Sequence, residues 1–186
     1  MIIQKNEIKP LPLKNAFVIS PMIFRDERGD FTKIYTEKLL GSAGVKPYFN
    51  EEYLSFSKKN VVRGLHYQSG KYAQAKLVKC IKGEIFDVIV DLRERSPTFG
   101  KWASVTLSES NMLSLYVPRG FAHGFMALGE YNAVLYKADN DYSPENESGL
   151  FYADIALSIA WPKSDKINIS DKDSNWPSFD KCIKFE

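Results

Sequence analysis

Short runs of β-branched and aromatic residues, broken by Gly, Pro and Asn, recur from residue 16 to residue 138. Runs of about five or six residues with this punctuation predict strands, and nowhere does a long 3.6-residue period compete with them. The expected strands are AFVIS (16–20), FTKIYT (31–36), EYLSFS (52–57), VVRGLHYQ (61–68), AKLVKCI (75–81), EIFDVIVDLR (84–93), WASVTLS (102–108), SLYVP (114–118), FAHGFMAL (121–128) and NAVLYKA (132–138). An all-β sandwich or barrel follows. One short helix is predicted in TEKLLGSAG (36–44), with Thr36 as its cap and Gly41 or Gly44 as its end. Beyond residue 140 the pattern turns irregular around Pro144, Pro162 and Pro177, so this tail is expected to wrap the β core.

Alternation is clearest between Glu84 and Arg93. Phe86, Val88, Val90 and Leu92 share one face of the strand, and Ile85, Asp87, Ile89 and Asp91 share the other. Two carboxylates on a half-apolar face need partners. Either Asp91 ends the strand near solvent and Asp87 accepts hydrogen bonds from a neighbour, or the face lines a site.

Composition narrows the class. The 186 residues, 44% hydrophobic and 26% charged, suit a single globular domain spanning 1–186. A formal charge of +2, from 25 basic and 23 acidic side chains spread along the chain, leaves no extended field for nucleic acid or a lipid surface. No run approaches the ~18 apolar residues of a membrane span, and MIIQKNEIKPLPLKNAF has no continuous apolar core, so a cytoplasmic location is expected. Cys80 and Cys182 are too few for a disulfide framework and are expected as free thiols.

Only two histidines are present. His66 shares strand parity with Val62, Gly64 and Gln68, opposite to Arg63, Leu65 and Tyr67. His123 follows the tight turn Pro118-Arg119-Gly120. A lone strand histidine is more often structural than catalytic. The spacing P-x-G-x-x-H around His123 resembles the second motif of the cupin superfamily of small β-barrels, but the H-x-H pair of its metal-binding members is missing. Two imidazoles and a carboxylate suffice for a facial iron triad, so an iron-dependent oxygenase is a rival; the missing spacing argues for no metal and no cofactor.

Taken together, FRDERGDF, KKNVVRGLHYQ, AQAKLVKCIKGEIFDVIVDLRERSPTFGKW, LYVPRGFAHGFMAL, LYKADNDYSP and ISDKD occur in the order and spacing of the dTDP-4-dehydrorhamnose 3,5-epimerase family. The resemblance covers nearly the whole chain. It implies a metal-free cupin-type double-stranded β-helix, or jelly-roll barrel, with a few short helices, and a homodimer formed by exchange of N-terminal strands. The implied substrate is a nucleotide-linked 4-keto-6-deoxy sugar, whose ketone acidifies the hydrogens on carbons 3 and 5. By resemblance His66, oriented by Asp173, is the general base, Lys76 stabilises the enolate, and Tyr136 is the acid. His123, Gln68 and Tyr142 are implied near the substrate, Arg63 and Arg28 at the pyrophosphate, and Phe24 and Phe31 against a pyrimidine, with Arg28 reaching into the partner subunit.

Parity gives modest separate support, since Lys76 shares a face with Val78 and Cys80, and Tyr136 with Val134. It opposes a shared face for Arg63 and His66 unless a bulge sits at Gly64. The chain departs from the family pattern at Lys33, at Glu51-Glu52-Tyr53 in place of Q-x-N, and at Asp141. These departures keep a single-centre epimerase, a CDP- or other NDP-sugar, and a non-catalytic sugar-nucleotide-binding cupin in play.

Overall fold

The computed structural model describes residues 1–45 and 48–186. Its strands are β1 (Ile2–Gln4), β2 (Glu7–Pro10), β3 (Phe17–Ser20), β4 (Met22–Asp26), β5 (Gly29–Lys33), β6 (Glu51–Lys58), β7 (Val62–Gln68), β8 (Lys76–Lys82), β9 (Glu84–Asp91), β10 (Trp102–Ser108), β11 (Ser114–Val117), β12 (Phe121–Ala127), β13 (Tyr131–Ala138) and β14 (Glu147–Gly149). Two short helices are α1 (Glu37–Ser42) and α2 (Asp171–Ser174). Every strand expected from periodicity is present, although FTKIYT yields only its first part, because Thr36 leaves the strand to cap α1 by accepting a hydrogen bond from the Leu39 amide. Gly44, at φ +75°, follows the last turn of α1. Strands β1, β2, β4 and β14 escaped the pattern because their segments are short and partly polar, and Pro10 ends an edge strand.

All ladders are antiparallel. A six-stranded sheet runs β2-β3-β11-β8-β13-β6, a five-stranded sheet runs β10-β9-β12-β7-β14, and a separate three-stranded sheet holds β1-β4-β5. The two large sheets face each other, and their inner faces interdigitate through Val18, Val78, Leu115 and Val134 on one side and Ile85, Ile89, Leu107 and Phe125 on the other. Each such fully buried side chain contributes roughly 1.5–3 kcal/mol.

The alternation along β9 is realised. Ile85 and Ile89 point between the sheets, while Val88, Val90 and Leu92 point outward and are covered by Leu150, Leu157, Trp161, Phe179, Cys182 and Phe185. The tail therefore forms a third layer over the five-stranded sheet. Hydrogen bonds from Trp102 Nε1 to the Leu157 carbonyl (2.9 Å) and from Tyr67 Oη to the Ile183 carbonyl (2.9 Å) pin it. Asp91 corrects one expectation: it ends β9 but is fully buried, accepting bonds from Arg93, Ser96 and Thr98. It organises a loop.

Strands β7 and β12 approach unusually closely. A Cβ on Gly64 would lie 2.6 Å from the Gly124 Cα, and one on Gly124 would lie 2.5 Å from the Arg63 carbonyl oxygen. Gly64 also has φ +118°. Beside this crossing the ladder slips: His123 pairs with His66, whereas Phe125 pairs with Arg63, so β7 carries one extra residue. That bulge reverses the parity and puts Arg63 and His66 on the same side. Gly124→Ala is expected to cost roughly 1–3 kcal/mol of unfolding free energy, since the obstruction is main chain. A urea midpoint equal to the parent's refutes the contact.

Candidate active site

One end of the space between the sheets is polar. Tyr53, Ser55, Arg63, His66, Lys76, His123 and Tyr136 line an inner chamber of about 180 Å³ there. Tyr53, His66 and Lys76 also border an outer chamber of about 360 Å³, with Glu51, Tyr67, Gln68, Gln74, Tyr142 and Glu147. Each inner side chain follows from strand register. Tyr136 lies opposite both Tyr53 on β6 and Val78 on β8, and Lys76 precedes Val78 by two on the same face. The barrel is filled by apolar side chains away from this end, so the chamber is where the stripe of inward residues changes from apolar to polar.

His66 is held from behind. Its Nε2 lies 2.7 Å from Asp173 Oδ1. Asp173 Oδ2 accepts the Gly64 amide at 3.0 Å, and Trp176 Nε1 approaches Oδ1 at 3.3 Å. Burial alone would raise the Asp173 pKa, but these donors, His66 foremost, hold it below its ordinary 3.8. An ionised carboxylate accepts only, so Nε2 carries the hydrogen, and in the neutral imidazole Nδ1 is the nitrogen left with the lone pair. The tail delivers Asp173: Asn168 bonds to the start of β7 through Val62 N and Asn60 O, Ser170 caps α2, and the Trp176 ring occupies the space above Gly149.

A second imidazole–carboxylate pair lies deeper. His123 Nε2 is 2.9 Å from Asp87 Oδ1, and both residues are buried. Burial pushes the Asp87 carboxyl above its ordinary range while His123 pulls it back. The Lys76 ammonium is pushed down to about 8 by burial, against the opposing pull of Glu147, Asp87 and Glu51. Burial likewise raises the Tyr136 phenol, so it stays protonated well into the alkaline range. Its hydroxyl lies 3.3 Å from Ser55 Oγ. Gln68 is buried, its Oε1 accepting the Ser143 amide, and Tyr142 bonds to Glu147 through its hydroxyl at 2.5 Å.

The structure thus brings His66, Lys76, Tyr136, Arg63 and His123 to one chamber, Gln68 and Tyr142 to its mouth, and Asp173 behind His66. It does not bring Phe24, Arg28 and Phe31 there. Those three border a separate groove of about 600 Å³ on β4 and β5, where Arg28 pairs with Asp26 at 2.7 Å and Phe31 is exposed. Of the positions that depart from the family pattern, Glu51 and Tyr53 reach the cavity; Asp141 accepts a bond from Asn50, and Lys33 ends β5. Sequence reasoning did not find Trp176, Ser55, Gln74 or Glu147. Among the described residues no cluster of three or more His, Cys, Asp or Glu side chains is placed to hold a metal ion.

A jelly-roll barrel whose open end holds a carboxylate-oriented histidine beside a lysine and a tyrosine defines a cupin-type protein equipped for proton transfer. The chain belongs to the dTDP-4-dehydrorhamnose 3,5-epimerase family, whose sequence profile matches residues 10–181. It is 45% identical over 175 residues to the dTDP-4-dehydrorhamnose 3,5-epimerase of Salmonella typhimurium, covering 94% of this chain and 96% of that one. The crystal structure of the enzyme of that name from Elizabethkingia anophelis superposes with a TM-score of 0.92 at 45% identity, covering 96% of this chain and 99% of the other. A dTDP-6-deoxy-D-glucose-3,5-epimerase from Legionella pneumophila, in complex with dTDP-4-keto-L-rhamnose, gives 0.91 at 38%, covering 95% and 94%.

Because the Asp173 pKa is depressed in the folded state, its contribution to stability is present above the unfolded value near 4 and is lost as pH falls through the native value. Asp173→Asn is therefore expected to destabilise the protein at pH 7 and to differ little from the parent at the acid end. Urea titrations at both extremes check this, and a constant gap contradicts it.

Proposed function

We propose that this protein epimerises a nucleotide-linked 4-keto-6-deoxyhexose, converting dTDP-4-dehydro-6-deoxyglucose to dTDP-4-dehydrorhamnose by inversion at carbons 3 and 5. The observation that carries the reading is the convergence of the Asp173-backed His66, Lys76 and Tyr136 on a single chamber. His66 Nδ1 removes the hydrogen alpha to the ketone. The Lys76 ammonium meets the charge that develops on the ketone oxygen, in a site where low dielectric strengthens the attraction. Tyr136 then delivers its phenolic proton to the other face of the same carbon. Burial opposes the resulting phenolate, and the positive charge of Arg63 offsets part of that cost. Proton exchange with solvent returns His66 and Tyr136 to their starting states, and repetition at the second carbon completes the reaction.

The nucleotide half of the substrate needs more than one chain offers. Phe24, Arg28 and Phe31 stand on a hairpin remote from the chamber, with two aromatic rings 6.0 Å apart and an exposed guanidinium. In the homodimer proposed here, strand exchange seats this hairpin over the partner's chamber, where the arginine meets pyrophosphate and the rings flank the pyrimidine. The exposed Leu54, Phe56 and Tyr131 on β6 and β13 supply apolar surface for such an interface. The buried free thiols of Cys80 and Cys182 accord with a cytoplasmic setting. The mechanism uses no metal.

Incubation of dTDP-4-dehydro-6-deoxyglucose in heavy water is expected to place one deuterium at each of carbons 3 and 5. Label at a single carbon identifies a single-centre epimerase, and no label identifies a non-catalytic binder. His66→Ala is expected to lower turnover by ~10²–10⁴-fold with little change in nucleotide affinity, whereas unchanged turnover removes His66 from the mechanism. Since Lys76 loses its proton near pH 8, turnover is expected to decline as pH rises through about 8. Chelators are expected to have no effect.

A further inference from the structure

Tyr53 is aromatic for a reason that strand formation does not require. It sits directly opposite Tyr136 across the β6–β13 ladder. The two rings stack with centroids 4.8 Å apart and planes 14° from parallel. Such a pair contributes roughly 0.5–1.5 kcal/mol beyond its buried area. The other restraints on Tyr136 are weaker. His123 meets the ring by its edge at 6.1 Å, and Ser55 Oγ lies at 3.3 Å, a long distance between two hydroxyls. Tyr53 is also, with His66 and Lys76, one of the side chains common to the inner and outer chambers, so its ring stands where the two spaces join.

A proton donor must be aimed, and a displacement of about 1 Å costs on the order of 10²-fold in rate. We propose that Tyr53 is a positioning residue for reprotonation: its stacked ring holds the Tyr136 phenol at the chamber wall and shields it from the outer chamber. This rests on the functional reading above and adds a division of labour to it. The proton leaves the substrate through His66, which Tyr53 does not stack upon, and returns through Tyr136, which it does. Loss of the stack therefore damages the second half of the cycle selectively. An enolate formed by His66 and not reached by Tyr136 takes a proton back from the face it lost it from, after His66 has exchanged with solvent. Isotope enters the substrate without inversion.

Solvent exchange and inversion are measured together in heavy water by mass and proton resonance. For Tyr53→Ala, inversion is expected to fall by about tenfold or more while deuterium entry into recovered substrate falls much less, raising the ratio of exchange to inversion at least several-fold. Tyr53→Phe keeps the stacked ring and is expected to restore the parental ratio. Tyr53→Leu, which keeps an apolar cover on the edge strand, serves if the alanine variant does not fold, and the same rise in ratio is expected. Equal loss of exchange and inversion, or an unchanged ratio in Ala and Leu, overturns the role of Tyr53 alone. Absence of both exchange and inversion in the parent protein overturns the epimerase reading itself, and this role with it.

Discussion

A single hydrogen bond, 2.7 Å from His66 Nε2 to Asp173 Oδ1, joins residues 107 apart in sequence and sets the demand that the rest of the chain meets. A buried carboxylate is costly unless donors surround it. Here they come from unrelated places: a side chain on β7, a main-chain amide at its bulge, and the indole of Trp176 beyond α2. Holding these together requires the irregular tail to cross the five-stranded sheet in a fixed path, and the apolar layer of Leu150, Leu157, Phe179 and Phe185 makes that path favourable. Packing far from the chamber and chemistry within it are thus linked by one carboxyl group.

The deeper part of the chamber obeys a different rule. Lys76, Asp87, His123 and Tyr136 point into a space that elsewhere holds apolar side chains, Phe121 and Phe125 among them. Desolvation shifts the lysine, the aspartate and the phenol in the directions that disfavour charge. Stability is surrendered at this end of the barrel and recovered at the other, a pattern expected where a fold carries reactive groups. Where such groups are desolvated, each electrostatic contact between them is strengthened.

Much of this was legible in the sequence, and the reasons are specific. Strands such as Trp102–Ser108 announced themselves because alternation and burial coincide, and the β9 faces separated as expected because both sides are covered. The association of His66, Lys76, Tyr136 and Asp173 came from ordered motifs, and periodicity alone would have left Tyr136 among the core aromatics. Arg63 appeared on the wrong face because strict alternation has no means of counting a bulge. Trp176 was missed since a tail without periodicity gives no hint of what it lies against. Phe24, Arg28 and Phe31 are legible as a turn with two flanking rings, but a linear pattern does not say that their hairpin stands apart from the chamber.

The glycine crossing at residues 64 and 124 bears on how such a chain changes over time. Each glycine is blocked by the main chain of the opposing strand, so neither position has a neighbour that can shrink to admit a larger residue. The usual route of paired compensation, one side chain growing as another recedes, is closed there. The close approach of the two histidine-bearing strands therefore demands glycine at both positions at once, whatever stands on the walls of the cavity.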